Sequence, residues 1–159
     1  MKLNKKKILG NIIFLMGFPG SGKTKLAKKI KSLLIKNKIS NIHLDGDDLR
    51  NTLGNFNYSK KDRVKLSLIY LKLAELLLKQ TDVIILSSVS LYKEVEEVFS
   101  KKRNIRPYII IKKFKNNKKN IIRVKYLKSI KFYIPKKIEK VIYNKSVLQS
   151  LNEILIDFR

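Results

Sequence analysis

Short runs of apolar residues alternate with longer segments of helical periodicity along most of the chain. The apolar runs predict strands at 11–16, 41–44, 83–86, 106–111 and 141–143. Apolar residues three and four positions apart predict helices at 25–34, 64–80 and 93–102, and a closing helix capped by Ser146. Because strands alternate with helices, the pattern predicts an α/β fold in three layers, with a mainly parallel sheet covered by helices on both faces.

Length and composition favour one globular domain. With 159 residues and 44% hydrophobic residues, we expect a single domain that spans 1–159. The absence of cysteine excludes disulfides and thiolate metal sites, and it suits a reducing cytoplasm. No apolar run approaches the 18 or so residues that a membrane span needs, so we expect no membrane partner.

The net charge of +25 is unusual and has two interpretations. Between Glu97 and Glu139 there are fifteen basic residues and no acidic residue. Such a segment can bind nucleic acid or anionic lipid. However, 31 of the 37 basic residues are lysines, whereas polyanion recognition usually favours arginine and interleaved aromatic residues. We therefore favour compositional bias over a nucleic-acid partner, and expect the positive field to attract anionic nucleotides.

The sequence GFPGSGKT at 17–24 has the spacing of a phosphate-binding loop, and it lies between a predicted strand and a predicted helix. In such a loop the backbone N–H groups and the helix N-terminus surround phosphate groups. Lys23 would reach the β- and γ-phosphates of a nucleotide, and the Thr24 hydroxyl would bind Mg²⁺. ATP and Mg²⁺ are therefore the expected ligands.

Acidic residues follow the second predicted strand, where open α/β sheets bind ligands. Many phosphate-loop proteins carry the acid of the Mg²⁺ site after the third strand, but this chain has serine there. Asp45 and Asp47 are therefore the candidate acids. For His43, inside the second strand, we expect a packing role rather than a catalytic one.

With the loop, three further motifs resemble the adenylylsulfate kinase family: LDGDDLR at 44–50, YSKKDR at 58–63 and VSLY at 89–92. The resemblance covers about residues 11–111, with the motifs in the family's order. It implies a phosphate-loop kinase that transfers the γ-phosphoryl group of ATP to a hydroxyl of a nucleotide-type acceptor. The first hundred residues also resemble the related branch that phosphorylates cytidine diphosphoramidate, which shares the sequence of the loop and the YSKxDR motif.

The resemblance also implies roles for individual residues. Asp47 would orient or deprotonate the acceptor hydroxyl, and Asp45 would support the Mg²⁺ site with Thr24, directly or through water. The implied catalytic residues are Lys23, Asp45 and Asp47. The implied ATP-binding residues are Gly17, Phe18, Pro19, Gly20, Ser21, Gly22, Lys23, Thr24 and Arg123. The implied acceptor-binding residues are Asp47, Arg50, Phe56, Arg63 and Ser90.

Some positions differ from the family pattern. Leu66 and Leu68 stand where the family has Asn and Arg, and the basic lid-like segment at about 112–134 is short. These differences leave open a paralogue that binds ATP without transfer, and the high positive charge leaves open a nucleic-acid-stimulated ATPase or polynucleotide kinase. The sequence also leaves the oligomeric state open, and a homodimer is one of the possibilities.

Overall fold

The structure is a computed structural model that describes residues 3–54, 59–112, 133–143 and 146–159. Within these ranges five strands form one sheet, and every pair of neighbouring strands is parallel. The strands are β1 (Asn11–Met16), β2 (Asn41–Asp45), β3 (Val83–Ser88), β4 (Ile105–Ile111) and β5 (Lys140–Tyr143). Their order across the sheet is β2-β3-β1-β4-β5. The five predicted strands are thus confirmed, each to within two residues at either end.

Helices connect the strands and cover both faces of the sheet. They are α1 (Lys5–Ile8), α2 (Lys23–Lys36), α3 (Gly46–Thr52), α4 (Lys60–Leu77), α5 (Lys93–Phe99) and α6 (Val147–Leu155), followed by a 3₁₀ turn at Ile156–Phe158. Side chains of β1 alternate between two buried clusters, as the two-residue period of a strand requires. Ile13 and Leu15 pack with α2 and α6, whereas Phe14 and Met16 pack with α4 and α5. The predicted three-layer α/β fold is confirmed.

Two of the helices were not predicted, and three have different bounds, of which α2 extends two residues beyond the prediction at each end. α1 and α3 are only four and seven residues long, so their apolar periodicity is too short to recognise. α4 begins at Lys60 rather than at 64, because Ser59 caps it: the Ser59 hydroxyl accepts a hydrogen bond from Asp62 N at 3.1 Å. α4 and α5 both end three residues before the predicted ends.

The predicted lid-like segment at 112–134 lies mostly outside the described residues. The chain that follows it is attached to α5 and to the end of β3. Tyr133 N donates to Leu91 O at 3.1 Å, and the buried Glu96 carboxylate accepts from Lys136 N at 2.7 Å and from Lys137 N at 2.6 Å. In the ranges that the structure describes, no helix has the length and apolar character needed to cross a membrane.

Candidate active site

The predicted phosphate loop connects β1 to α2, and a lysine side chain at its end bonds to its backbone. Gly17, Gly20 and Gly22 have φ values of +152°, +79° and +97°, conformations that L side chains rarely adopt. Lys23 is the first residue of α2 and is 9% exposed, and its Nζ donates to Phe18 O at 2.9 Å. The helix N-terminus and the lysine ammonium therefore lie together at one end of the sheet, where an anion would be stabilised.

Gly17 is a position where the loop has no room for a side chain. A Cβ on Gly17 would lie 2.4 Å from Ile110 O of β4, so alanine must displace the loop or the strand. We expect Gly17→Ala to lower the free energy of unfolding by about 2–4 kcal/mol, measured by urea denaturation. The control is Gly10→Ala, which has a positive φ of +73° but no atom within 4 Å of its Cβ, and which should cost less. Equal losses would show that the contact with β4 is unimportant.

Asp45 and Thr24 meet beside this loop. Thr24 Oγ1 donates to Asp45 Oδ2 at 2.8 Å, although 21 residues separate them in sequence. Mg²⁺ prefers oxygen ligands and takes few of them from the protein when it also binds substrate phosphates. Among the described residues, no three acidic, histidine or cysteine side chains are grouped as a metal site. One carboxylate and one hydroxyl are a donor set that would suit Mg²⁺ shared with a nucleotide.

The Asp45 carboxylate accepts more than one hydrogen bond. Ser87 Oγ donates to Oδ2 at 2.8 Å, and Asp47 N donates to Oδ1 at 3.0 Å. Burial on its own would raise the pKa of Asp45, but the hydrogen bonds from Thr24, Ser87 and Asp47 outweigh it and hold the pKa below its usual value. Asp45 is therefore ionised at neutral pH and ready to bind a cation.

His43 lies two residues before Asp45 on the same strand. Its Nε2 is 2.9 Å from Ser87 Oγ and 4.0 Å from Asp45 Oδ2. Burial lowers the pKa of His43 below the ordinary imidazole value, against the opposing effect of the Asp45 charge. The ring thus favours its neutral form, and its Nε2 has a polar partner in Ser87.

α3 carries the second acid and an arginine. Asp45 caps this helix through its hydrogen bond from Asp47 N, and Tyr70 of α4 fixes its first turn by donating to Gly46 O at 3.1 Å. Asp47 is exposed at the first turn, and Arg50 lies in the last turn. The negative charge of Asp47 is favourable at a helix N-terminus, which helps to explain why this short polar segment is helical.

Three serine hydroxyls, from α4 and from the end of β3, form a chain of hydrogen bonds. Ser67 Oγ donates to Arg63 O at 2.8 Å, and Ser90 Oγ donates to Ser67 Oγ at 2.9 Å. Ser88 Oγ and Ser90 Oγ are 2.5 Å apart, and because Ser90 has already used its only hydrogen, Ser88 must be the donor. Ser90 has a φ of +39°, an uncommon conformation for a residue with a side chain. The end of β3 is therefore held in one defined arrangement.

These residues surround a single cavity of about 400 Å³. The predicted site residues that line it are Pro19, Gly20, Gly22, Lys23, Thr24, Asp45, Asp47, Arg50, Arg63 and Ser90. Gly17, Phe18 and Ser21 belong to the loop but do not line the cavity. Phe56 and Arg123 lie outside the described residues, so their predicted roles stay predictions.

Sequence reasoning missed several residues of the cavity wall. They are Lys25, Gly46, Ser67, Tyr70, Ser87, Ser88, Val89, Tyr92 and Lys112. Ser67 lies between the two positions that differ from the family pattern. Leu66 is buried in the core and Leu68 packs against it, whereas Ser67 lines the cavity. Glycine is needed at position 46, because a Cβ there would lie 2.8 Å from the Ser88 Cβ.

Comparison with known proteins identifies relatives. The family model of adenylylsulphate kinase matches residues 9–124. The chain is 38% identical over 85 residues to the cytidine diphosphoramidate kinase of Campylobacter jejuni, covering 53% of this chain and 49% of the relative. It is 39% identical over 93 residues to a probable adenylyl-sulfate kinase of Pyrococcus abyssi, covering 55% and 51%. The chain thus spans about half the length of the curated relatives it matches.

A solved structure agrees with the fold. The APS kinase of Mycobacterium tuberculosis, solved in complex with AMPPNP and APS, superimposes with a TM-score of 0.77 at 18% identity. The superposition covers 94% of this chain and 98% of that structure. At 18% identity this likeness supports the fold alone. Membership of the family follows from the family model, which matches well over half of the sequence. The chain belongs to the adenylylsulphate kinase family.

Proposed function

We propose that this chain is a phosphotransferase that moves the γ-phosphoryl group of Mg·ATP to a hydroxyl group of an anionic, nucleotide-type acceptor. The observation that carries the proposal is the arrangement of one cavity. The phosphate loop with Lys23 and Thr24, the arginines Arg50 and Arg63, and the carboxylates of Asp45 and Asp47 all line it. A phosphate donor and an anionic acceptor would therefore meet in front of two carboxylates.

On the ATP side, the chain supplies positive charge and oriented donors. The N–H groups of the loop and of the first turn of α2 would hold the phosphates, with Lys23 neutralising charge that shifts to the β- and γ-oxygens. Thr24 and Asp45 would hold Mg²⁺, which supplies further charge neutralisation when bound. The complex of a family member with AMPPNP, an ATP analogue, supports ATP as the donor.

On the acceptor side, Asp47 would align the hydroxyl and accept its proton as the oxygen bonds to phosphorus, while ADP leaves. Such a reaction depends mainly on alignment and charge stabilisation, so one well-placed carboxylate suffices. Arg50 and Arg63 carry planar, permanently charged groups that suit a phosphate or sulfate of the acceptor. Among acceptors, adenylylsulfate and cytidine diphosphoramidate have the strongest support, because the matched relatives carry those names.

An ADP-formation assay tests this function. Purified protein with Mg·ATP is offered adenylylsulfate, cytidine diphosphoramidate, ordinary nucleosides and nucleotides, and single-stranded DNA in parallel. We expect one of the first two to raise ADP formation above the acceptor-free rate. Binding of ATP with no stimulation by any acceptor would contradict the proposal and favour the paralogue without transfer. Stimulation by DNA alone would favour the nucleic-acid alternative.

Arg63 offers a sharper test of the acceptor side. It lines the cavity although its residue is only 8% exposed. We expect Arg63→Gln to lower kcat/KM for the acceptor by about 10–100-fold, the range for one lost charge-assisted hydrogen bond, and to leave KM for ATP unchanged. The control is Arg103→Gln, which removes an exposed arginine outside the cavity. An equal loss for both variants, or a change confined to ATP, would exclude this role.

A further inference from the structure

His43 contacts Ser87 beside the proposed Mg²⁺ ligand Asp45, and the proposed reaction does not use this contact. β2 and β3 are parallel neighbours, and Asp45 is paired with Ser87 in their register. Side chains two residues apart on a strand point to the same face, so His43 lies beside Asp45 and diagonally across from Ser87. The strand pairing thus brings an imidazole, a hydroxyl and a carboxylate together, and the hydroxyl and the carboxylate belong to residues that line the cavity.

The direction of these hydrogen bonds follows from counting hydrogens. Ser87 has one hydroxyl hydrogen and donates it to Asp45 Oδ2 at 2.8 Å. Ser87 Oγ must therefore be the acceptor in its 2.9 Å contact with His43 Nε2, which makes Nε2 a donor. The direct separation of 4.0 Å between His43 Nε2 and Asp45 Oδ2 is too long for a hydrogen bond. The chain of donors runs from His43 to Ser87 and then to Asp45.

We propose that His43 is a positioning residue for the Mg²⁺-binding carboxylate: by donating from Nε2 it directs the Ser87 hydroxyl hydrogen to Asp45 Oδ2. Without His43, the Ser87 hydroxyl loses the donor that orients it, so its hydrogen bond to Asp45 weakens while those from Thr24 and the α3 backbone remain. Partners of this kind orient metal ligands, and their loss typically lowers metal affinity about 10–100-fold. The metal part of the inference rests on the proposed function, whereas the hydrogen-bond direction does not.

The direction of the hydrogen bond between His43 and Ser87 can be measured without a ligand and without an activity assay. The chain contains a single histidine, so imidazole ¹⁵N signals need no assignment among residues. We expect a hydrogen on His43 Nε2, and we expect Ser87→Ala to speed its exchange with water. Ser32→Ala is the control, because that hydroxyl lies on the outer face of α2 and donates to Lys28 O. A ring with hydrogen only on Nδ1, or a signal that Ser87→Ala leaves unchanged, would overturn the proposal.

Mg²⁺ dependence tests the consequence. His43→Leu removes the donor, whereas His43→Gln keeps an N–H near the position of Nε2. We expect His43→Leu to weaken Mg²⁺-dependent binding of ADP by about 10-fold, and His43→Gln to restore most of it. Calorimetric titration of ADP at several Mg²⁺ concentrations gives this number whether or not the chain transfers phosphate. If both variants bind Mg·ADP like the parent protein, or both lose binding equally, His43 has no positioning role through its donor.

Discussion

Replacing Lys23 with alanine is expected to lower acceptor-dependent ADP formation by about 10²–10³-fold, the usual effect of removing one group that stabilises transition-state charge. Lys23 begins α2 and is nearly buried, and its Nζ already lies against the loop at Phe18 O. The same ammonium can reach a phosphate held by that loop. No other basic residue of α2 combines burial with this position, since Lys25, Lys28, Lys29, Lys31 and Lys36 are all exposed.

The control for this variant is Lys29→Ala. Lys29 is exposed on the same helix, outside the cavity, and its loss changes the net charge by the same amount. Turnover of Lys29→Ala should equal that of the parent protein. If Lys23→Ala retained parental turnover, or if both variants lost it equally, the phosphate loop would not be the ATP site that we propose.

Replacing Asp47 with asparagine is expected to separate ATP binding from transfer. Asparagine keeps the size and the place of the side chain but cannot accept the hydroxyl proton, so kcat should fall by about 10²–10⁴-fold. ATP affinity should change little, because Asp45 and Thr24 remain. Binding is measured by calorimetry, and transfer is measured by ADP formation with the acceptor that supports turnover.

Asp48→Asn is the matched control for that experiment. Asp48 follows Asp47 in the first turn of α3 and is equally exposed, but it does not line the cavity. Both changes remove the same charge near the same helix N-terminus, so a general effect on α3 would appear in both variants. Parental turnover of Asp47→Asn would show that the proton acceptor is another group.

The sequence was sufficient for the features that depend on local pattern. An apolar run followed by GFPGSGKT and an amphipathic segment identified β1, the loop and α2. The order of strands and helices identified the three-layer fold. The signal for each element lies within a short stretch of sequence, because side-chain type depends directly on burial and on backbone conformation.

The remaining features depend on contacts between distant residues. Ser87 reaches Asp45 across 42 positions of sequence, and Ser90 reaches Ser67 across 23. Serine occurs in loops, caps and sheets alike, so its type gives no indication of such a partner. α3 was missed for another reason: it has seven residues, begins with Gly46, and depends on capping by Asp45 and the contact with Tyr70. Tertiary contacts therefore stabilise α3 and the hydrogen-bonded serines beside it.

The most direct test of the central claim is to follow the γ-phosphoryl group itself. The protein is incubated with Mg²⁺, γ-³²P-labelled ATP and the acceptor that raises ADP formation, and the labelled products are separated. The proposed reaction predicts label in a phosphomonoester of the acceptor, in amounts equal to the ADP formed, and about 10²–10⁴-fold slower formation of this product with Asp47→Asn. Label that appears only in inorganic phosphate, with the acceptor recovered unchanged, would contradict transfer to a hydroxyl group.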